Sequence, residues 1–316
     1  MAARPAESLR QTVTSPVARA ACGLLSRTKS LPSWLFYDAE GSRLYERITQ
    51  LPEYYPWRAE REIFAEQADA IVERAGGVRL HPLELGAGGF EKSQLILEAL
   101  VRRQGPTRFV PVDVSASALA AGQSRLEREL PAVKVMPLVG HHEDAFSKIR
   151  AGTRVMFIGS SIGNYEEPDA RRLLAGVRRA GAVLLLGTDL VKDPAILVPA
   201  YDDAEGVTAA FNKNVLARLN RELGAEFDLD TFRHVALWNA AASRIEMHLE
   251  SLVEQKVAVP PLGRPLRFRQ GERIHTESSI KYDLARVDRL LADSGWRREA
   301  SYHDRRRWFA VHLARA

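Results

Sequence analysis

The chain has 316 residues, 46% of them apolar, which is about two domain lengths with enough apolar volume for a core in each, so a disordered or fibrous protein is excluded. Its 45 basic and 40 acidic residues leave a formal charge of +5, with the basic residues scattered in pairs such as Arg102-Arg103 and Arg171-Arg172; a solvated, helix-rich surface accounts for this better than a nucleic-acid footprint. Cys22 is the single cysteine, so no disulfide can form within the chain and no cysteine-built metal site is available.

A lone cysteine points to a reducing compartment, and a cytoplasmic protein is expected. The longest apolar runs, such as 182–187, are far short of a membrane span, so a soluble protein is expected as well. Residues 1 to about 60 read as helical and aromatic, and their first thirty form a basic arm without the apolar core of a signal peptide. From Arg79 onward, short apolar runs alternate with helical stretches, the pattern of a parallel sheet built from strand-helix units. Strands are expected at 80–85, 109–112, 133–139, 154–158 and 183–186. Ser115 is placed to cap a helix that Pro131 stops, and another helix is expected at 170–179. Residues 193–282 interrupt the alternation with a helix at 206–222 and several strands, one of them alternating visibly around 244–259 through Ile245, Met247 and Leu249. A hairpin at 296–302 and 308–313 closes the sheet. The N-terminal arm and the interruption together are expected to form a lid over the open strand ends.

The first candidate site is Glu84-Leu85-Gly86-Ala87-Gly88-Gly89 at a strand-to-helix turn. Glycine is needed where a backbone turns sharply or a ligand approaches without a Cβ in the way, and the helix start behind it offers unpaired N–H groups. A tight turn without a ligand is the plain alternative. Asp113, ending the second strand, stands where this architecture places the partner of a ribose diol, unless it only caps the Ser115 helix. The dinucleotide fingerprint G-x-G-x-x-G would require glycine at 91, where the chain has Glu91. That disfavours a nicotinamide cofactor and leaves S-adenosylmethionine as the better nucleoside ligand.

Five ordered motifs are similar to those of the histidine-specific Nα-methyltransferases of ergothioneine biosynthesis: Leu51-Pro52-Glu53-Tyr54-Tyr55-Pro56, Leu85-Gly86-Ala87-Gly88 with Glu91-Lys92, Ile158-Gly159-Ser160-Ser161-Ile162-Gly163-Asn164, Ala210-Phe211-Asn212-Lys213-Asn214 and Ile274-His275-Thr276-Glu277-Ser278-Ser279. The resemblance runs from about residue 30 to the end. It implies a doubly wound, Rossmann-like class I methyltransferase α/β sheet with a second α+β substrate-binding domain. The sheet domain would span 61–192 and 283–316, and the substrate-binding domain 1–60 and 193–282.

The implied reaction moves three methyl groups from S-adenosylmethionine to the α-amino group of L-histidine, giving hercynine. By the same resemblance Gly86, Ala87, Gly88, Lys92 and Asp113 contact S-adenosylmethionine, with Gly140, His141 and His142 on its adenine side. Tyr37, Tyr54, Asn164, Tyr201, Met247, Glu277 and Ser279 fall on positions that hold histidine, with Tyr54 and Asn164 at the reacting amine. His141-His142 departs from the family, which carries an acid and then an aromatic residue there, the acid accepting from the adenine amino group. A neutral imidazole accepts in the correct tautomer, and Asp144 is a substitute if the loop shifts. No metal is expected, because adjacent histidines point apart in an extended chain. A monomer acting on a small molecule, without nucleic-acid or membrane partners, is expected.

The chemistry needs a neutral amine lone pair aligned with an S–CH3 bond and no strong base. An uncharged cage of the Tyr54 phenol and Asn164 amide meets that need, and aromatic faces tolerate the growing cation. Asn164 and Tyr201 can donate to the substrate carboxylate, Glu277 can accept the ring N–H, and Ser279 can serve the bare ring nitrogen. Spacing alone is blander: Glu277 and Ser279 would open a helix continued by Ile280, Leu284, Val287 and Leu291, Tyr54, Tyr55 and Trp57 would be core aromatics, Asn164 would start the turn before Pro168, and Met247 would be core. Methylation of another amino acid or small amine, nucleic-acid methylation and cofactor binding without turnover are the competing functions.

Overall fold

The computed structural model describes residues 15–77, 80–149, 153–178 and 183–316. Residues 1–14 of the basic arm and Arg179, the expected end of a helix, lie outside them. In chain order the strands begin with β1 (Lys29–Ser30), β2 (His81–Leu85), β3 (Thr107–Asp113), β4 (Val133–Val135), β5 (Leu138–Val139), β6 (Thr153–Phe157) and β7 (Val183–Asp189). They continue with β8 (Phe232–Asn239), β9 (Arg244–Ser251), β10 (Gln255–Val257), β11 (Leu266–Phe268), β12 (Arg273–Ile280), β13 (Arg297–His303) and β14 (Phe309–Arg315). Contacts divide the chain into two compact units, one holding the residues up to Tyr54 with Pro194–Ser278, the other Tyr55–Asp193 with Ser279–Ala316.

The second unit is built on one sheet in the order β13-β14-β7-β6-β2-β3-β4, with β5 also on β3. β2 lies parallel between β3 and β6, Leu83 facing Val110 on one side and Val155 on the other. Chain order thus reverses beside β2, the place where such sheets open a crevice at their carboxyl ends. The expected terminal hairpin forms, and β14 inserts antiparallel between β7 and β13, with Phe309 opposite Asp189. Alternation along the strands feeds two cores. Met156, Val183 and Leu185 join Ile63, Phe64, Ile96 and Phe309, whereas Val155, Phe157, Leu184 and Leu186 join Leu174, Leu290 and Trp296. A sheet covered on both faces explains why β7 is buried at every residue.

Helix ends follow local chemistry. Ser115 Oγ accepts from the Ala118 N–H at 3.3 Å and starts helix Ala116–Glu129, as expected. The expected strand at 133–139 is broken into β4 and β5. Pro137 has no N–H for a ladder, and the Met136 N–H donates instead to Phe109 O at 2.8 Å.

In the first unit β1, β12, β9 and β8 form a four-stranded sheet, and β10 pairs with β11. The strand expected around 244–259 therefore divides into β9 and β10. Helix Val207–Leu223 is bounded by Gly206 and Gly224, both in the left-handed region, and buries Phe211, Val215, Leu216 and Leu219 at helical spacing. No helix among the described residues is long and apolar enough to cross a membrane.

Candidate active site

The turn after β2 is held by its own backbone. The N–H groups of Gly86 and Ala87 donate to Val112 O at 2.8 and 3.1 Å, which docks the turn onto β3. Gly86 and Gly88 have φ of 69° and 53°, conformations open to glycine at little cost. A Cβ on Gly88 would meet nothing within 4 Å, so the backbone there is approachable by a ligand. Asp113 accepts from the Gly88 N–H at 2.9 Å and the Ser115 N–H at 2.8 Å, joining the glycine turn to the next helix start. It does serve the Ser115 helix, yet a carboxylate offers about four lone-pair sites, so acceptor capacity remains for a diol. Burial pushes its pKa up and the backbone N–H bonds pull it back. Below the turn, buried Glu84 accepts from Ser93 Oγ at 2.5 Å, and burial raises its pKa to about 8.

Lys92, on helix Glu91–Gln104, pairs its ammonium with Glu60, a fully buried acid on helix Tyr55–Ala75. The same carboxylate accepts the Gly159 N–H at 2.8 and 2.9 Å, so one acid ties Lys92 to the turn after β6. A Cβ on Gly187 would lie 2.4 Å from Glu60 Oε1; glycine there makes room for the acid. Glu60 was legible only as an acid within the apolar spacing of Ala59, Ile63 and Phe64.

In the loop after β5, the Gly140 N–H donates to Asp113 O at 2.9 Å. The Asp144 carboxylate accepts the His141 N–H at 2.8 Å at the start of the short helix His142–Lys148. A Cβ on Gly140 would stand 2.5 Å from that carboxylate. His141 is exposed. His142 is turned inward, its Nδ1 2.7 Å from Tyr165 Oη and its ring edge-on to Phe157. Burial lowers its pKa to about 4, so the ring is neutral.

Asn164 closes the turn Ser161–Asn164 after β6, and its side-chain amide has no hydrogen-bond partner among the described residues. Gly163 beside it packs on β12: a Cβ there would lie 2.9 Å from Ile280 O.

In the first unit three of the tyrosines named from sequence come together around a fourth that sequence reasoning missed. Tyr45 is 5.9 Å from Tyr37 and 6.2 Å from Tyr54 between ring centroids, and Tyr54 is 6.4 Å from Tyr201, all edge-on. Tyr45 and Tyr54 bring their hydroxyls to 3.5 Å. Burial, then the neighbouring phenols Tyr45, Tyr201 and Tyr37, push the Tyr54 pKa well above the usual tyrosine range. The Phe-Asn-Lys-Asn motif frames this group. Phe211 packs on Tyr37 and Tyr45 at 5.8 and 6.2 Å. Asn214 Nδ2 donates to Asp38 Oδ1 at 2.8 Å, beside Tyr37. Asn212 Nδ2 lies 2.8 Å from His234 Nδ1, whose Nε2 lies 2.8 Å from Tyr201 O. The second pair requires the Nε2–H tautomer, because the carbonyl only accepts.

Met247 is 2% exposed on β9, and its carbonyl accepts from Thr276 Oγ1 at 3.0 Å. Glu277 and Ser279 do not open a helix. They lie two residues apart on β12, hence on one face of a strand, both buried, and the next helix, Leu284–Asp293, starts at its Asp283 cap. The helix-dipole explanation of Glu277 is thereby removed. Sequence reasoning also missed a buried group of Tyr55, Asp189, Lys192 and Lys281 in the second unit. No cluster of metal-ligating side chains occurs among the described residues.

The reversal beside β2, the glycine turn with Asp113 opposite it and the inserted antiparallel β14 define a class I, S-adenosylmethionine-dependent methyltransferase. Residues 17–316 match the model of a family described as histidine-specific methyltransferase, SAM-dependent. The chain is 47% identical over 297 residues to a histidine N-alpha-methyltransferase of Mycobacterium tuberculosis, covering 92% of each. It is 44% identical over 314 residues to one from Mycolicibacterium smegmatis, covering 98% of this chain and 95% of that one. Among solved structures, a magnesium protoporphyrin IX methyltransferase of Synechocystis covers 89% of this chain and 96% of its own at 10% identity and a TM-score of 0.47. The chain belongs to the histidine-specific, S-adenosylmethionine-dependent methyltransferases.

Proposed function

We propose that the protein transfers three methyl groups in succession to the α-amino group of L-histidine, giving hercynine, the first step of ergothioneine biosynthesis. The observation carrying this reading is the 44–47% identity, over nearly all of the chain, with relatives named for that reaction. By this reading Gly86, Ala87, Gly88, Lys92, Asp113, Gly140, His141 and His142 hold S-adenosylmethionine. The open space at Gly88 and the remaining lone pairs of Asp113 fit a nucleoside with a free diol. When bound, that cofactor supplies a sulfonium-activated methyl group.

The protein's part is to hold an amine neutral and aimed. A carboxylate beside the amine would keep it an ammonium, whereas Tyr54, with its pKa pushed up, remains an uncharged phenol that orients a lone pair. The Asn164 amide serves the same end. As methyl groups accumulate the nitrogen becomes bulkier and finally permanently cationic. The faces of Tyr37, Tyr54 and Tyr201 then attract it through their ring quadrupoles. Tyr201 and Asn164 donate to the substrate carboxylate, Met247 shapes the pocket, and Glu277 and Ser279 address the two ring nitrogens. The protein is proposed to work as a cytoplasmic monomer on small molecules, without nucleic acid or membrane, the first unit acting as the substrate-binding domain.

The test is incubation with S-adenosylmethionine and L-histidine. A trimethylated histidine identified by mass spectrometry is expected, and cofactor turnover that does not depend on histidine would defeat the reading. Glu277→Ala should lose preference for histidine over other amino acids while S-adenosylhomocysteine affinity holds; equal loss of both would refute the assignment of Glu277.

A further inference from the structure

The turn that carries Tyr201 is held by a relay of uncharged groups within the first unit. Tyr201 ends the three-residue turn Pro199–Tyr201, and its carbonyl lies 2.8 Å from Nε2 of His234, on β8. Nδ1 of the same ring lies 2.8 Å from Nδ2 of Asn212, on helix Val207–Leu223. That Nδ2 also donates to His248 O of β9 at 3.0 Å. Four elements thus meet through one amide and one ring.

The protons along this path have one arrangement. A carbonyl only accepts, so Nε2 of His234 carries the hydrogen. Burial holds the His234 pKa below the usual imidazole range, against the pull of the Tyr201 carbonyl and of Asp202 and Asp203. The ring is therefore neutral, Nδ1 is bare, and the Asn212 amide donates to it. Reversing the amide would set its oxygen against two acceptors, Nδ1 and His248 O. Asn212 is 0% exposed and its Oδ1 has no hydrogen-bond partner among the described residues, so one buried acceptor goes unmet to keep this orientation. Stability alone does not ask for the pair, since apolar groups of the same shape replace two buried hydrogen-bonding partners at little cost. Apolar groups cannot, however, aim a carbonyl.

We propose that Asn212 and His234 are positioning residues that fix Tyr201 for the histidine substrate. The amide sets the imidazole tautomer, and the imidazole N–H clamps the Tyr201 carbonyl, which keeps the Tyr201 ring edge-on to Tyr54 at 6.4 Å between centroids. The inference rests on the reading of Tyr201 as a residue that holds histidine, and it adds two residues that act through Tyr201 rather than on the substrate.

The experiment follows products as well as rate. His234→Leu should lower kcat/KM for histidine about tenfold while S-adenosylhomocysteine affinity changes less than roughly threefold. It should also release mono- and dimethylated histidine ahead of the trimethylated product, because a displaced Tyr201 ring no longer faces the growing cation. His234→Gln, whose amide nitrogen stands where Nε2 does, should keep most of the activity. Adding Asn212→Ala to His234→Leu should change the result by less than about twofold, and so should adding His234→Leu to Tyr201→Ala. An undiminished effect of His234→Leu without the Tyr201 side chain would make His234 merely structural and overturn the proposal, as would equal losses for histidine and S-adenosylhomocysteine. If Tyr201→Ala alone keeps wild-type kinetics and products, the reading of Tyr201 fails first and takes the proposal with it. If Tyr201→Ala is impaired and His234→Leu is not, that reading stands and the proposal alone falls. A measurement on the unaltered enzyme guards against a variant that does not fold. The ¹⁵N spectrum of protein labelled in its histidine rings should show His234 neutral, with its hydrogen on Nε2 and none on Nδ1, and the opposite tautomer or an imidazolium would overturn the proposal.

Discussion

Gly163→Ala puts the Asn164 turn to a quantitative test. Gly163 lies in the short turn Ser161–Asn164 with an ordinary negative-φ backbone, so alanine brings no conformational strain and its effect is steric. The added Cβ would lie 2.9 Å from Ile280 O and 3.1 Å from Ile280 N, against an ordinary contact of 3.4 Å or more, and both opposing atoms are backbone of β12. The turn and the strand must therefore part by roughly half an ångström, a cost of about 1–3 kcal/mol for inserting a methyl group into a close contact. Thermal denaturation should register this as a fall of roughly 2–4 °C per kcal/mol. Because Asn164 is the next residue, a displaced amide should also lower kcat/KM for histidine, by up to about 10²-fold if the shift nears 1 Å. Affinity for S-adenosylhomocysteine should change far less. Gly105→Ala, in a left-handed conformation with nothing within 4 Å, is the control that strains the backbone without crowding the turn. An unchanged melting temperature together with unchanged kinetics for Gly163→Ala would refute the reasoning.

Tyr54→Phe removes one hydroxyl while keeping the edge-on packing against Tyr45 and Tyr201, and should reduce kcat/KM roughly 3- to 15-fold without lowering the melting temperature appreciably; identical kinetics would show that the phenol oxygen is idle. Glu60→Gln leaves the Lys92 ammonium without its buried partner and should destabilise by about 3–5 kcal/mol, with Glu60→Gln/Lys92→Met recovering part of the loss. A double variant less stable than both single ones would count against the pair. His142, held at about 4, takes up its proton less readily folded than unfolded. The unfolded chain therefore binds more protons between about pH 4 and 6.5, and this contribution to stability is full above 6.5 and declines as pH falls through that window. Melting curves of His142→Gln should fall less steeply with acidification than those of wild type, and parallel curves would exclude the effect.

Much of the architecture was legible in the chain because its causes are local. Short apolar runs marked β2, β6 and β7, Ser115 marked a helix start, and the late apolar runs around Trp308 marked a hairpin. Gly86, Gly88 and Asp113 carried the cofactor class because glycine and an acid at strand ends have few other reasons to occur together. Glu277 and Ser279 were ambiguous, since an acid and a serine ahead of an apolar run fit a helix start as well as a strand. Pairing with β9 and β1 decided for the strand.

The sequence by itself determined the fold class, the family and the identity of the chemical groups, since periodicity, turn residues and motif order are all written along one dimension. Only the tertiary structure decided which acid meets which cation. Glu60 reaches Lys92 from 32 residues away, Asp189 meets Lys281 across 92, and Tyr45 joins Tyr201 through Tyr54. Partners like these are chosen by how elements pack once the loops between them close, and loop closure depends so weakly on length that sequence separation carries almost no information about it.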